Sequence, residues 1–387
     1  MDESSKNPSI GIKILFSVII IMCPFVRRSH DTIKEVSALK KYMLLLFLLI
    51  IGQVFSVYLN DISRDGVTVS WFTEEPSTSY LIVYDGSNES IHSDEEVTLH
   101  RFRVSGLLPG MSYAYTVKSE KDGEVIYKGN GILTTAPNRN TPFSFAAYGD
   151  SRNNYVVHSE IVNGIASENV PLVIHTGDIV STDGAIEEWI DFFEVTEVLS
   201  DSVLYSVIGN HESEAINYLK FFAFPGNERY YSLWYGDIFF IFLNTNEAFD
   251  KYSQQYVWLL TQLEEAEEED PAHIVVCLHH PPYSYGSHGD HLYLKEYLVP
   301  VFENYNVDLV LSGHDHGYQR IERNGVTYVI TAGGGAPLYD ITRGESLVAS
   351  AKAFHYMLFN YTLEGLYGYS KTPEGLILDS FYIPKHN

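Results

Sequence analysis

Five short apolar runs in this chain each end in residues that can hold a cation. Phe143–Tyr148 leads into Gly149-Asp150, Pro171–Thr176 into Gly177-Asp178, and Val203–Ile208 into Gly209-Asn210-His211. Ile274–Leu278 leads into His279-His280-Pro281-Pro282, and Asp308–Ser312 into Gly313-His314-Asp315-His316. Each run has the length and composition of a strand. A glycine lets the chain turn off a strand end without a Cβ clash. His314 and His316 are two apart, so in extended backbone both imidazoles point the same way. Any one of these tips reads equally well as an ordinary polar loop. Together they deliver oxygen and imidazole donors to the C-terminal strand edge, where open α/β sheets build their sites. That repetition predicts a metal site assembled from separate strands.

The rest of the pattern is consistent with this. From Thr141 onward, strands alternate with helical stretches at Val156–Ser167, Ile186–Leu199, Tyr252–Glu269 and Tyr293–Asn304, an α/β signature. After Gly325 strands return at Val326–Thr331, His355–Leu363, Leu366–Ser370 and Leu376–Ile383. The stretch 57–137 has strand signals only. Gly66–Phe72 alternates, Ser79–Tyr84 stops at the hairpin signal Asp85-Gly86, and Arg101–Val104 leads into Leu107–Val117. An all-β sandwich is expected there, joined by a linker at Pro137–Asn140 to an α/β domain covering 138–387. The turn Leu108-Pro109-Gly110 followed by Tyr113 and Tyr115 resembles a fibronectin type III domain, in which a buried tyrosine closes such a corner.

With 50 acidic against 25 basic residues the formal net charge is -25. Unaided binding to nucleic acid or an anionic membrane is therefore not expected, because phosphate backbones are held by Lys and Arg. A small phosphorylated substrate remains compatible, since a local dication reverses the field. Residues 1–56 read as a leader. Within it, 43–56 has a basic lead, an apolar core of about a dozen residues and a small exit residue, the parts of a signal peptide. A secreted or otherwise extracytoplasmic protein is expected, with membrane contact only through an uncleaved N-terminal segment. Loss of that leader removes Cys23 and leaves Cys277, so no disulfide framework is expected.

The ordered set Gly149-Asp150, Gly177-Asp178, Gly209-Asn210-His211-Glu212, Val276-x-x-His279 and Gly313-His314-x-His316 resembles the calcineurin-like metallophosphoesterases, and among them the purple acid phosphatase group. The resemblance implies a multidomain chain in which an all-β sandwich precedes a metallophosphoesterase domain, itself a central β-sandwich flanked by helices. It implies two metal ions (Fe, Zn or Mn) and no organic cofactor. Asp178 would bridge the ions, Asp150 and His316 would serve the first, and Asn210, His279 and His314 the second. A hydroxide held between them would attack phosphorus. His211 and His288 are the catalytic candidates, and Arg152, His211, His288 and His291 are the substrate-binding candidates. The expected activity is acid phosphatase-like hydrolysis of phosphomonoesters. A phosphodiesterase acting on nucleotides or phospholipid headgroups would use the same core. A catalytically impaired metal- or phosphate-binding protein is a third reading.

Two positions depart from the family pattern. Ser181 stands where the purple enzymes carry a tyrosine, and Arg152 stands where other members of the superfamily carry a histidine. The first ion is then left with Asp150, Asp178 and His316, which favours a labile divalent ion over tightly held ferric iron. Arg152 is expected either against a phosphate oxygen, which its planar fork suits, or in a plain salt bridge. Without the tyrosinate, the metal-loaded protein should be colourless or pale. A visible absorption spectrum checks this, and an intense charge-transfer band would contradict it.

Overall fold

The computed structural model describes residues 57–86 and 90–385, all within one compact unit, Phe55–Asn387. The expected leader 1–56, with its signal-like segment 43–56, lies outside the described residues. Among the described residues no helix is long and apolar enough to cross a membrane.

The stretch read as all-β contains β1 (Tyr58–Asn60), β2 (Val67–Val83), β3 (Ser90–Val104), β4 (Ser112–Lys121) and β5 (Glu124–Thr134). β2 and β3 form a long antiparallel ribbon, from Val67 opposite Val104 to Ile82 opposite Ser90. β1 borders the first half of β2 and β4 the second half, with register shifts between Phe72 and Ser79 where Pro76 interrupts the ladder. The sequence predicted only the Arg101–Val104 end of β3. Its other half is polar and exposed, so it carries no alternating apolar signal. At the predicted tyrosine turn, Tyr113 Oη accepts from the Leu108 N–H at 3.0 Å. Tyr115 is buried.

The following elements are β6 (Phe143–Tyr148), α1 (Tyr155–Ser167), β7 (Leu172–His175), α2 (Ile186–Thr196), β8 (Val203–Ser206) and α3 (Ile216–Phe221). Then come β9 (Tyr231–Tyr235), β10 (Ile238–Phe242), α4 (Gln254–Glu269), β11 (His273–Cys277), α5 (Leu292–Tyr297), α6 (Val299–Asn304) and β12 (Leu309–Ser312). The chain closes with β13 (Tyr318–Arg323), β14 (Val326–Thr331), β15 (Leu347–Ala351), β16 (Tyr356–Tyr361), β17 (Gly365–Lys371) and β18 (Ile377–Pro384).

Among the described residues these form an 11-stranded sheet, β18-β17-β16-β6-β7-β8-β1-β2-β4-β5 with β3 on β2, and a 7-stranded sheet, β15-β13-β14-β12-β11-β10-β9. The parallel blocks are β6-β7-β8 in the first sheet and β10-β11-β12-β14 in the second. Parallel strands bring their C-terminal ends to one edge, which is why distant motifs meet. The second sheet is buried on both faces. In β10 and β11, Phe240, Phe242, Val275 and Cys277 join one apolar core, while Phe239, Ile241, Ile274 and Val276 join another with Leu259 and Leu263 of α4 and Phe302 of α6. That is the period-two alternation of a strand between two layers.

Two expectations need correction. The helix expected over Tyr293–Asn304 is two helices that meet at Leu298, with Pro300 in the first turn of α6. Proline has no N–H to give the preceding turn and its ring clashes with a carbonyl there, so the helix restarts. The β9–β10 hairpin was not anticipated. Its turn carries Gly236 at φ +59°, and β10 is apolar on both faces, so it lacks the alternation that marks a half-buried strand.

Several histidines are buried in the folded chain. His100 lies under Trp71, with ring centroids 4.9 Å apart, and its ring nitrogens meet Ser79 Oγ at 2.6 Å and Thr73 Oγ1 at 2.9 Å. Burial holds His100 down to about 4, His158 to about 3 and His355 to about 4. Unfolded, each takes a proton near 6.5. Their stabilisation is therefore complete above about pH 6.5 and is lost as pH falls through the window down to about 4. The denaturant midpoint should drop between pH 7.5 and 5, and His100→Gln should flatten part of that slope. A midpoint independent of pH would contradict this account.

Candidate metal centre

The five predicted tips meet. Asn210 Oδ1 lies 3.0 Å from His279 Nε2 and 2.9 Å from His314 Nδ1, and His279 Nε2 lies 3.3 Å from Asp178 Oδ1. On the other side, His316 Nε2 lies 3.4 Å from Asp150 Oδ1. Asp150, Asp178 and His316 offer donor atoms all within 4.8 Å of one another, and so do His279, His280 and His314. Asp178 therefore touches both groups. The two carboxylates are 0% and 2% exposed.

The backbone is bent hard to achieve this. Asp150, Asp178 and His314 sit at φ +59°, +54° and +70°, conformations that cost a side-chain-bearing residue free energy and cluster at functional sites. A Cβ on Gly209 would stand 2.2 Å from Asp178 N and 2.3 Å from Asp178 Oδ1, so only glycine allows the third tip to reach the second. Glu212, fully buried, ties these two tips together. Its Oε2 accepts from the N–H groups of Asp178 and Gly209, each at 3.0 Å, and its Oε1 from that of Val180 at 3.0 Å. The glycine-rich turn after β14 closes the other flank, with Gly334 N–H donating to Gly149 O and Ala336 N–H to Asp150 O, both at 2.8 Å.

The donor set fits cations. His279 Nδ1 donates to Thr176 O at 2.8 Å and His316 Nδ1 donates to Pro337 O at 2.8 Å, so Nε2 is the nitrogen that each ring turns toward the site. Those nitrogens face the Asn210 carbonyl oxygen and the Asp150 carboxylate. A proton or a metal ion on Nε2 makes each contact attractive. Donors about 2.0–2.2 Å from a common ion stand roughly 3.0–3.5 Å apart, which matches the separations here. Burial also pushes the Asp150 carboxyl up, with Asp178 beside it adding to the effect, so the pair requires compensation. The ion-pair partners of both carboxylates are imidazoles.

The remaining candidates lie at the rim. His211 donates its Nδ1–H to Ser181 O at 2.7 Å, and its Nε2 stands 3.7 Å from Asp178 Oδ2. Arg152 donates from Nη2 to His211 Nε2. His288 stacks near His314 with centroids 4.2 Å apart. His291 stands further out. Its Nδ1 caps α5 by accepting from Leu294 N–H at 3.3 Å, and its ring neighbours are Phe249 and His280. Other contributors went unread in the sequence. The tip of β10 supplies Thr245, whose Oγ1 meets His280 Nδ1 at 2.7 Å, and Asn246, whose amide donates to Ile208 O at 3.0 Å and Gly209 O at 3.1 Å. The apolar run ending in Asn244-Thr245-Asn246 was the available signal. His280 joins the cluster as a neutral ring, since burial and the adjacent histidines hold it down to about 2.

Residues 143–318 match the family model for calcineurin-like phosphoesterases. The chain is 27% identical over 286 residues to purple acid phosphatase 15 of Arabidopsis thaliana, covering 61% of this chain and 53% of that protein. It is 25% identical over 324 residues to Fe(3+)-Zn(2+) purple acid phosphatase 12 of the same plant, covering 71% and 66%. The chain thus spans about half to two thirds of the length of these curated relatives. In fold it is similar to a purple acid phosphatase from yellow lupin (Lupinus luteus) seeds, with TM-score 0.74 and 17% identity over 85% of this chain and 74% of that one. Residues 143–318 thus carry a calcineurin-like phosphoesterase domain, and the chain is similar to purple acid phosphatases.

Asp178→Asn should cost more metal than any other single ligand change, because one side chain touches both donor groups. Elemental analysis of the purified chain checks this, with two ions per wild-type chain expected. A variant that keeps both ions would place the shared carboxylate elsewhere.

Proposed function

We propose that this chain hydrolyses phosphate monoesters with a pair of metal ions, in the manner of an acid phosphatase. The observation that carries the reading is the convergence of six donor side chains from five strand tips, with Asp178 between the two groups. The relatives' names, purple acid phosphatases, support the same reading. Asp150, Asp178 and His316 would hold one ion, and Asp178, Asn210, His279 and His314 the other. When bound, such a pair supplies Lewis acidity and an activated water for phosphoryl transfer. Iron, zinc and manganese are the candidates, and the Fe(3+)-Zn(2+) name of one relative is compatible with the first two.

The chain's own residues would complete the site. Arg152 offers a planar fork to phosphate oxygens at the edge where it now meets His211. With Nδ1–H committed to Ser181 O, and once Arg152 turns from His211 to a phosphate oxygen, Nε2 is the nitrogen of His211 free to carry a proton to a leaving alkoxide. His288 adds a second imidazole from the Ser284–His291 loop, and His291 completes the outer wall. The division into a β-module over 57–137 and a catalytic domain over 138–387 belongs to the same proposal. The Tyr113–Leu108 bond supports the fibronectin type III-like reading of the module. Export through the 43–56 segment is proposed on its sequence pattern alone.

Metal-loaded chain should cleave a generic aryl phosphate monoester faster than the matching diester. Inactivity toward monoester, diester and nucleotide alike would overturn the hydrolase reading. His211→Ala should keep metal content near normal and lower turnover by roughly 10²–10⁴-fold, the usual loss for a positioned proton donor. Metal loss in that variant would instead place His211 among the ligands.

A further inference from the structure

We infer that Asp315, the residue between the two histidines of the last tip, is a positioning residue that sets His288 over the second donor group. The inference rests on the hydrolase reading above and names what orients that side chain. The neighbours of Asp315, His314 and His316, each join one of the two donor groups, and Asp315 joins neither. Its carboxylate is buried, with the residue 1% exposed. It points beneath the loop that follows the fourth tip. Ser284 Oγ donates to Asp315 Oδ2, while the backbone N–H of His288 and its Nδ1–H both reach Asp315 Oδ1 at 3.3 Å.

The loop is shaped around this carboxylate. Ser284 Oγ also accepts from Gly286 N–H at 3.0 Å and from Gln319 Nε2 at 3.1 Å. A Cβ on Gly286 would lie 2.5 Å from the Asp315 carboxyl carbon, so the chain passes too close for any other residue. On its outer side the loop is clasped independently. Thr342 N–H donates to Tyr285 O at 2.8 Å, and Tyr285 Oη meets Ser346 Oγ at 2.9 Å. Asp315 is therefore not the sole anchor of the loop, and its particular contribution is to His288. With Nδ1 engaged, Nε2 is the nitrogen His288 presents, on a side chain 44% exposed whose ring lies 4.2 Å from that of His314 and 5.4 Å from that of Tyr339. A carboxylate that selects which ring nitrogen faces outward is how supporting residues orient functional imidazoles. Asp315 acts through His288 and touches no substrate itself.

The test compares metal-loaded full-length wild type, His288→Ala, Asp315→Asn, the double variant and Gly286→Ala. Metals per chain, inorganic phosphate affinity by calorimetry, and kcat and KM on an aryl phosphate monoester are measured. Asp315→Asn should keep both ions and weaken phosphate binding roughly 10- to 100-fold, the range for losing a hydrogen bond to a charged group. His288→Ala should match it, and the double variant should be no worse than His288→Ala alone. Gly286→Ala, which removes no polar group but whose Cβ would push the Asp315 carboxylate aside, should move in the same direction. Additive losses in the double variant, loss of metal from Asp315→Asn, or unchanged phosphate affinity in His288→Ala would each overturn the inference. Wild type that binds phosphate without turnover would sink the hydrolase reading, while the calorimetric comparison would still decide the role of Asp315.

Discussion

The structure depends on a local conflict of like with like. Two buried carboxylates, an amide oxygen and imidazole nitrogens are pressed together at 3.0–3.4 Å around Asp178. Carboxylates buried this deeply need positive charge beside them, from a protonated imidazole or a bound cation, and that need sets the composition of the site. The fold supplies the restraint that keeps the donors from relaxing apart. Backbone N–H groups from three residues hold Glu212 against the underside of Asp178, and left-handed conformations at Asp150, Asp178 and His314 persist because the surrounding strands over-determine them.

That restraint comes from two parallel blocks in two separate sheets. β6, β7 and β8 bring one side of the site, and β10, β11, β12 and β14 bring the other. Bonds that lock the donors cross between them. His279 of the second sheet donates to Thr176 of the first, and the N–H of His314 reaches both oxygens of Asp150 at 3.1 Å. The site is thus a seam between layers. Its precision rests on core packing between the sheets, where Phe240 of the second meets Phe145 of the first edge-on, with Phe359 stacked on Phe145 within the first.

Much of this was legible in the chain. Asp150, Asp178, Asn210, His279, His314 and His316 were readable because each ends an apolar run, a pattern that survives without knowledge of partners. The β10 tip was missed because Ile238–Phe242 is buried on both sides and shows no alternation. Pro300 was visible, yet a helix pattern running through it concealed the break. Glu212 and Asp315 were in plain view within motifs and drew no role. A buried carboxylate that braces backbone N–H groups looks the same in sequence as one that faces water.

The order of residues determined which elements form and which chemical groups arrive at their tips, because periodicity and turn chemistry are local properties of a few neighbouring residues. It determined the class of site for the same reason. Tertiary structure decided which nitrogen of each imidazole faces inward, that Arg152 leans on His211 rather than on a carboxylate, and that Asp315 reaches back to His288. Those choices are made by hydrogen bonds between residues as far apart as Thr176 and His279. Such bonds exist only once two sheets have packed face to face, and no local pattern encodes that geometry.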